Sequence, residues 1–245
     1  MLIKKILKNT AFYPVHIGEY IRKLYFYNYL HRLPIKNITN VLDAGCGDGT
    51  YALWMAHAFP WLQVTGIDIM PPGFQGKKTQ NCHFRYGDLT KLDDKYKYDF
   101  IYCIDVLEHI PGNFNVLKRM FNSLKPDGYL YIHMPTKDNQ RMFPKRYFEE
   151  FDNRMSKEHI GEQYQQKEII DILKSIGFNI LLSKQTMGFY GKIAWEIDRI
   201  IDNQKSIKVL LMPILKILSH FELYAPKIGG NGILVIGKKP YNKNE

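Results

Sequence analysis

Asp105, Glu108 and His109 follow an apolar run from Tyr98 to Ile104, in the segment Asp105-Val106-Leu107-Glu108-His109-Ile110. On the first helical turn after a strand, positions i, i+3 and i+4 share a face. Two carboxylates and an imidazole gathered this way can do two kinds of chemistry. The imidazole can take a proton from a hydroxyl as a general base. Alternatively, the group can hold a divalent cation that lowers the pKa of a hydroxyl, with a further ligand from His133 or His159. The same side chains can also serve only local hydrogen bonds, and the spacing leaves all three readings open.

Such residues act only if the chain around them builds a crevice. Val41-Leu42-Asp43-Ala44 reads as a short apolar strand ending near an acid. Gly45, Gly47 and Gly49 then alternate, and a helical pattern begins at Thr50. Glycines at a strand-to-helix turn let the backbone approach a ligand closely, and the helix start offers free N–H groups. The next strand, from Gln63 to Ile69, carries Asp68, where a carboxylate at the strand tip can accept from two ribose hydroxyls. Both a nicotinamide dinucleotide and S-adenosylmethionine fit that pattern. The dinucleotide fingerprint, however, wants a third glycine at position 50, where Thr50 stands. A third strand, Cys82 to Tyr86, leads into Gly87-Asp88-Leu89, and a fourth leads into Asp105. Leu124-Lys125-Pro126-Asp127-Gly128-Tyr129-Leu130-Tyr131-Ile132 reads as a helix end, a turn and a fifth strand.

In this order the motifs VLDAGCGDGT, GIDI, GDLT, DVLEH and LKPDGYLYI resemble those of class I S-adenosylmethionine-dependent methyltransferases, most of all the broad group that includes the quinone-pathway enzymes. The resemblance covers about residues 38–185, with 231–239 as a last strand. It implies an α/β, Rossmann-like fold: seven strands, mostly parallel, with an antiparallel last strand. An N-terminal helical cap would occupy residues 1–37 and the methyltransferase domain residues 38–245. It also implies roles. Asp43, Gly45, Gly47 and Gly49 would hold the methionine part. Asp68 would take the ribose, with Ile69 or Met70 flanking the adenine. Asp88 would accept from the adenine amino group beside Leu89, and Asp105 would open the loop facing the methyl group. The segment Asp105–His109 is also similar to the ExxEH signature of quinone-pathway O-methyltransferases and small-RNA 2′-O-methyltransferases, which helps bind a divalent metal. Here the first glutamate is replaced by Asp105, and metal is not favoured.

Two departures stand out. The connection from Met70 to Lys78 is too rich in proline and glycine for the usual helix and reads as a loop. The loop after strand four also lacks the Asn/Asp-Pro-Pro-aromatic tetrapeptide of enzymes that methylate exocyclic base nitrogens or glutamine.

The net charge is +10, with 34 Lys and Arg against 24 Asp and Glu. Residues 1–36 alone hold seven basic residues and one acid, so the basicity lies outside the cofactor half. That pattern suits an anionic partner such as a phospholipid surface, a phosphorylated substrate or nucleic acid, or else plain solubility. The three cysteines, Cys46, Cys82 and Cys103, read as reduced thiols in a cytoplasmic protein, and Met1–Lys8 lacks the apolar core of a signal peptide. Residues 1–8 instead have amphipathic spacing, and a second helical pattern runs from His16 to Leu33.

Residues 135–163 resist regular assignment and read as a lid or acceptor loop over the crevice. Gln165 to Ile176 reads as a helix closed by Gly177, and Phe178 to Thr186 as a strand. Residues 187–230 form a helical insertion. Within it, Ser206 to Phe221 is apolar nearly all round, and burial against the sheet is its default reading. It is too short and too interrupted by Lys208, Pro213 and Lys216 to span a membrane. A dimer surface or a peripheral membrane contact are its other readings. The functional expectation is methyl transfer to a small-molecule or lipid-linked acceptor, at oxygen. An RNA methyltransferase and a non-catalytic S-adenosylmethionine-binding protein are the alternatives. Nucleic acid is not the expected partner, because no basic stripe interleaved with aromatics is evident.

Overall fold

The computed structural model describes residues 15–69, 79–225 and 229–241. The amphipathic start at residues 1–8 and the loop from Met70 to Lys78 lie outside them. Among the described residues, one compact unit gathers those within 34–137, 159–184 and 233–245. A second gathers those within 1–33, 138–158 and 185–232.

The first unit is built on a seven-stranded sheet. Its strands are β1 (Asn40–Ala44), β2 (Gln63–Asp68), β3 (Cys82–Tyr86), β4 (Tyr98–Ile104), β5 (Leu124–Pro135), β6 (Asn179–Thr186) and β7 (Gly232–Lys238), in the spatial order β3-β2-β1-β4-β5-β7-β6. β1 pairs in parallel with β2 and β4, β2 with β3, and β4 with β5. The start of β5 and the end of β7 exchange bonds, Asp127 N–H to Lys239 O and Lys239 N–H to Gly128 O, so β7 runs against β5. This is the Rossmann-like sheet with an antiparallel last strand that the motifs imply.

The central strands are buried on both faces, which is why β1 and β4 read as nearly continuous apolar runs. Helix α2 (Thr50–Ala58) follows the glycine turn, and Asp48 caps its first residue by accepting from both the backbone N–H and the hydroxyl of Thr50. Helix α3 (Asn113–Ser123) turns Val116, Leu117 and Met120 inward. Helix α5 (Gln166–Ile176) does the same with Ile169 and Leu173, and Gly177 at φ +118° ends it. Each such side chain, fully removed from water, contributes about 1.5–3 kcal/mol. Asp99 ties the strand starts together, accepting from the N–H groups of Thr39 and Asn40 and from Lys125.

The second unit holds α1 (Ile17–Leu30), α4 (Glu149–Glu158), α6 (Phe189–Ile200) and α7 (Lys205–Phe221). Buried carboxylates organise it. Glu222 accepts from the Tyr25 hydroxyl and from the N–H groups of Gly188 and Gly191, at 2.8, 2.8 and 3.0 Å. Glu196 accepts from the N–H groups of Met142 and Phe143. Asp198 accepts from Ile17 N–H and pairs with Lys208.

Two expectations change here. The 135–163 segment is not irregular throughout, because it contains α4. None of that helix's residues is buried, so it leaves no apolar period in the sequence. Its order comes from Glu149, Glu150 and Asp152 in the first turn and Lys157 in the last, which suit the helix dipole. Helix α7 is not covered on every side. It packs with the other helices of its unit through Lys208, Met212, Leu215 and Ser219, and exposes Ile207, Leu210, Ile214, Ile217 and Phe221. Lys208 can face inward because Asp198 and Asp202 neutralise it. The Ser219 hydroxyl is satisfied by donating to Leu215 O at 2.7 Å.

Candidate active site

The glycine loop is shaped by its neighbours. Gly45 adopts φ +82°, and a Cβ there would fall 2.4 Å from the Val106 side chain, so no other residue fits. Its N–H and that of Cys46 both donate to Ile67 O, holding the loop on β2. Gly47 N–H donates to Asp68 Oδ2 at 2.8 Å. Among the described residues, nothing lies within 4 Å of where a Gly47 side chain would begin, so the loop is open at that point. Gly49 precedes α2 at φ +77°.

Around this loop stand the residues named from sequence. Asp43 is buried at the end of β1. Burial pushes its pKa up to about 8, against the opposing pull of the Tyr102 hydroxyl and the Ala52 N–H. Asp68 closes β2, and Ile69 beyond it is 57% exposed. Asp88 follows β3 and uses Oδ1 for two bonds, from the hydroxyl and the N–H of Thr90 at 2.7 and 2.8 Å. Those two donors, the hydroxyl first, hold its carboxyl below the ordinary range. Leu89 beside it is buried. All of these sit at the carboxyl ends of parallel strands, where α/β sheets place their ligands. The glycine loop and the carboxylates at the tips of β2 and β3 offer donors and acceptors to the hydroxyl and amino groups of a ligand.

Asp105, Glu108 and His109 all meet side chains from distant segments. Leu107–His109 forms a short 3-10 turn, not the first turn of an α-helix. Asp105 adopts a left-handed φ of +51°, and its N–H donates to His133 O. Its Oδ1 lies 2.7 Å from Nδ1 of His133, the residue paired with Ile104 across the two strands. Glu108 is buried. Ligand atoms of Glu108, His109 and His159 lie within 4.8 Å of one another, the one such group of candidate metal ligands among the described residues. The His109 and His159 rings meet edge to face at 4.9 Å.

Gly161 makes that meeting geometrically feasible. Its N–H donates to Glu108 O at 2.8 Å, and a Cβ on it would fall 2.5 Å from Leu107 O. Asn113 completes the clamp, donating to the carbonyls of Leu107 and Glu162 and accepting from the Tyr164 hydroxyl. Glu162 accepts from the N–H groups of Gly112 and Asn113. The segment from His159 to Tyr164 resembles a substrate-side segment in sequence, but nothing in the sequence joins Gly161 or Tyr164 to the 107–113 turn, and Asn113 carries no signal there. Asn113 and Tyr164 are 51 residues apart, and no local pattern joins them.

Residues 17–183 match a family model described as a methyltransferase domain. The chain is similar to the trans-aconitate 2-methyltransferase of Escherichia fergusonii, 30% identical over 108 residues that make up 43% of each chain. It is also similar to the (S)-coclaurine N-methyltransferase of Papaver somniferum, 30% identical over 111 residues, 42% of this chain and 32% of the relative. The match therefore spans less than half the length of these curated relatives. Among solved structures, phosphoethanolamine N-methyltransferase 2 of Haemonchus contortus, in complex with S-adenosyl-L-methionine, superposes with a TM-score of 0.63 at 19% identity, over 96% of this chain and 59% of that one. A S-adenosylmethionine-dependent methyltransferase of Methanosarcina mazei superposes with a TM-score of 0.57 at 18% identity, over 88% of this chain and 99% of that one. The structural likenesses establish the fold.

Proposed function

The chain belongs to the methyltransferase-domain family, and from that premise we propose that it transfers a methyl group from S-adenosylmethionine to the oxygen of a small-molecule or lipid-linked acceptor. The observation that carries the cofactor assignment is the open Gly45–Gly49 loop with Asp68 and Asp88 at neighbouring strand tips. Asp68 would accept from the two ribose hydroxyls, and Asp88 from the adenine amino group, with Ile69 and Leu89 along the ring. Asp43 would brace the loop that receives the methionine part.

When bound, S-adenosylmethionine supplies a methyl group already activated by the sulfonium. What remains for the chain is orientation and the acceptor's proton. Orientation is served by Asp105, fixed by two contacts to His133 at the end of the next strand. Proton acceptors stand on the same connection: the Asp105 carboxylate, and His109 beside Glu108 and His159. This supply of bases suits an acceptor that must lose a proton as it is methylated, as a hydroxyl must. The set Glu108, His109 and His159 could also hold a divalent cation, which would lower the hydroxyl pKa in place of a base. The relatives' names speak of small acceptors, trans-aconitate, coclaurine and phosphoethanolamine. The basic N-terminal residues support an acceptor at an anionic membrane face and a cytoplasmic, peripheral location. No helix among the described residues is long and apolar enough to cross a membrane.

The test is an unbiased one. The protein is incubated with methyl-labelled S-adenosylmethionine and cell extract, and the labelled product is identified. A methyl ether or ester on a small or lipid-linked molecule supports the proposal. A methylated amine, RNA or no product at all overturns it.

A further inference from the structure

Helix α7 is turned inside out. Ile207, Leu210, Ile214, Ile217 and Phe221 recur at alternating steps of three and four residues, so they form one straight stripe. All five are exposed, from 44% at Ile207 to 68% at Leu210, and Tyr224 continues the line at 86%. From residue 207 to 221 the stripe runs about 21 Å. At its far end Phe221 meets Tyr190, whose ring packs on the exposed Phe189, so aromatics collect there. Isolated exposed apolar residues are ordinary, but a contiguous stripe marks a contact.

We propose that this stripe inserts into the interface of an anionic membrane, holding the protein where a lipid-linked acceptor resides. Charge selects the occupant. From Lys205 to Phe221 the helix has no acid and three lysines, of which Lys205 and Lys216 remain once the buried, paired Lys208 is set aside, and Glu222, the next residue, is buried. The unit that carries α7 has 17 of the chain's 34 Lys and Arg but only 10 of its 24 Asp and Glu, in well under half its length. A surface of anionic lipid is complementary to that balance, whereas a second copy of the same basic unit is not. Size points the same way. Six side chains fall far short of the 20–30 residues a side of a stable protein interface. They suit an amphipathic helix lying in the headgroup region, with aromatic rings at its edge.

This inference deepens the lipid-linked reading of the acceptor and is tested separately from it. The full chain is sedimented with phosphatidylcholine vesicles and with vesicles containing 30% phosphatidylserine, beside a Leu210→Glu/Ile217→Glu variant. The wild type is expected on the phosphatidylserine vesicles, weakly on the neutral ones, and the variant at least tenfold less on either. Unchanged melting temperature and unchanged S-adenosylmethionine affinity by calorimetry establish that the variant is folded and that its cofactor site is intact. Negligible wild-type binding to both vesicles, or equal binding by the variant, overturns the proposal. A wild-type dimer that the variant dissociates would assign the stripe to a second copy. A lower melting temperature in the variant would assign it to a segment of the chain itself. Either result overturns the membrane proposal, while intact cofactor binding leaves the methyltransferase reading untouched.

Discussion

His133 and Asp105 lie 28 residues apart in sequence, and their side chains meet at 2.7 Å at the ends of adjacent parallel strands. The histidine side chain is 2% exposed and the carboxylate 25%, so Asp105 is the member of the pair that a ligand in the crevice can reach. Asp105 also sits at φ +51°, a conformation that aspartate and asparagine tolerate better than most residues. Asp105→Asn should therefore keep the backbone and remove only the charge. We expect turnover on a hydroxyl acceptor to fall about 10²–10⁴-fold, the usual range for a proton-transfer group. Steady-state kinetics check this, and an unchanged kcat would leave the pair a purely structural contact.

Asp68 is the second test. Replacing it by alanine removes the acceptor proposed for the ribose and the bond from Gly47 N–H. The loss should be about 2–3 kcal/mol in S-adenosylmethionine binding, roughly 30–150-fold in Kd. Titration calorimetry reads it directly, and an unaltered Kd would move the cofactor elsewhere.

His109 separates base from metal. As a base, His109→Ala should lower kcat by about 10²–10⁴-fold and leave cofactor affinity nearly unchanged. Chelator should then have no effect on the wild type. If chelator abolishes activity and Mg²⁺ or Zn²⁺ restores it, the Glu108, His109 and His159 set holds a cation instead.

Stability should respond to Asp99 in a pH-dependent way. Burial alone would raise its pKa, but the N–H of Asn40, the Lys125 ammonium and the N–H of Thr39 together lower it. A carboxyl depressed in the folded state contributes its full stability above the unfolded value of about 3.9. That contribution is lost as pH falls through the lower folded value. Asp99→Asn should cost about 1.5–3 kcal/mol at pH 7. The gap to wild type should narrow below about pH 4. Urea unfolding at pH 7 and pH 3 reads both, and an equal gap at the two would contradict the assignment.

Glu222 should matter most to its own unit. Glu222→Ala removes the carboxylate acceptor of the N–H groups of Gly188 and Gly191 and of the Tyr25 hydroxyl, which keeps only the longer contact to Glu222 O at 3.5 Å. Each buried donor stranded that way costs about 1–3 kcal/mol. A marked fall in melting temperature is expected, with Glu222→Gln milder because its amide oxygen can still accept.

By itself the sequence determined what local chemistry can carry. The glycine turn at 45–49, Asp68 and Asp88 one strand apart, and Gly177 at the end of α5 are legible because backbone conformation and short-range spacing dictate those residue types. The buried strands β1 and β4 were legible for the same reason, since being covered on both faces demands unbroken apolar runs. Tertiary structure decided what depends on distant partners. The motif around Asp105 reads as one cluster along the chain. The 3-10 turn, the left-handed Asp105, its contact with His133 and the approach of His159 to Glu108 and His109 are not legible there. The orientation of α7 was likewise undetermined, because a helix apolar nearly all round offers two faces to a core. The pairing of Lys208 with Asp198 and Asp202 turned its mixed face inward and its purely apolar face to the surface.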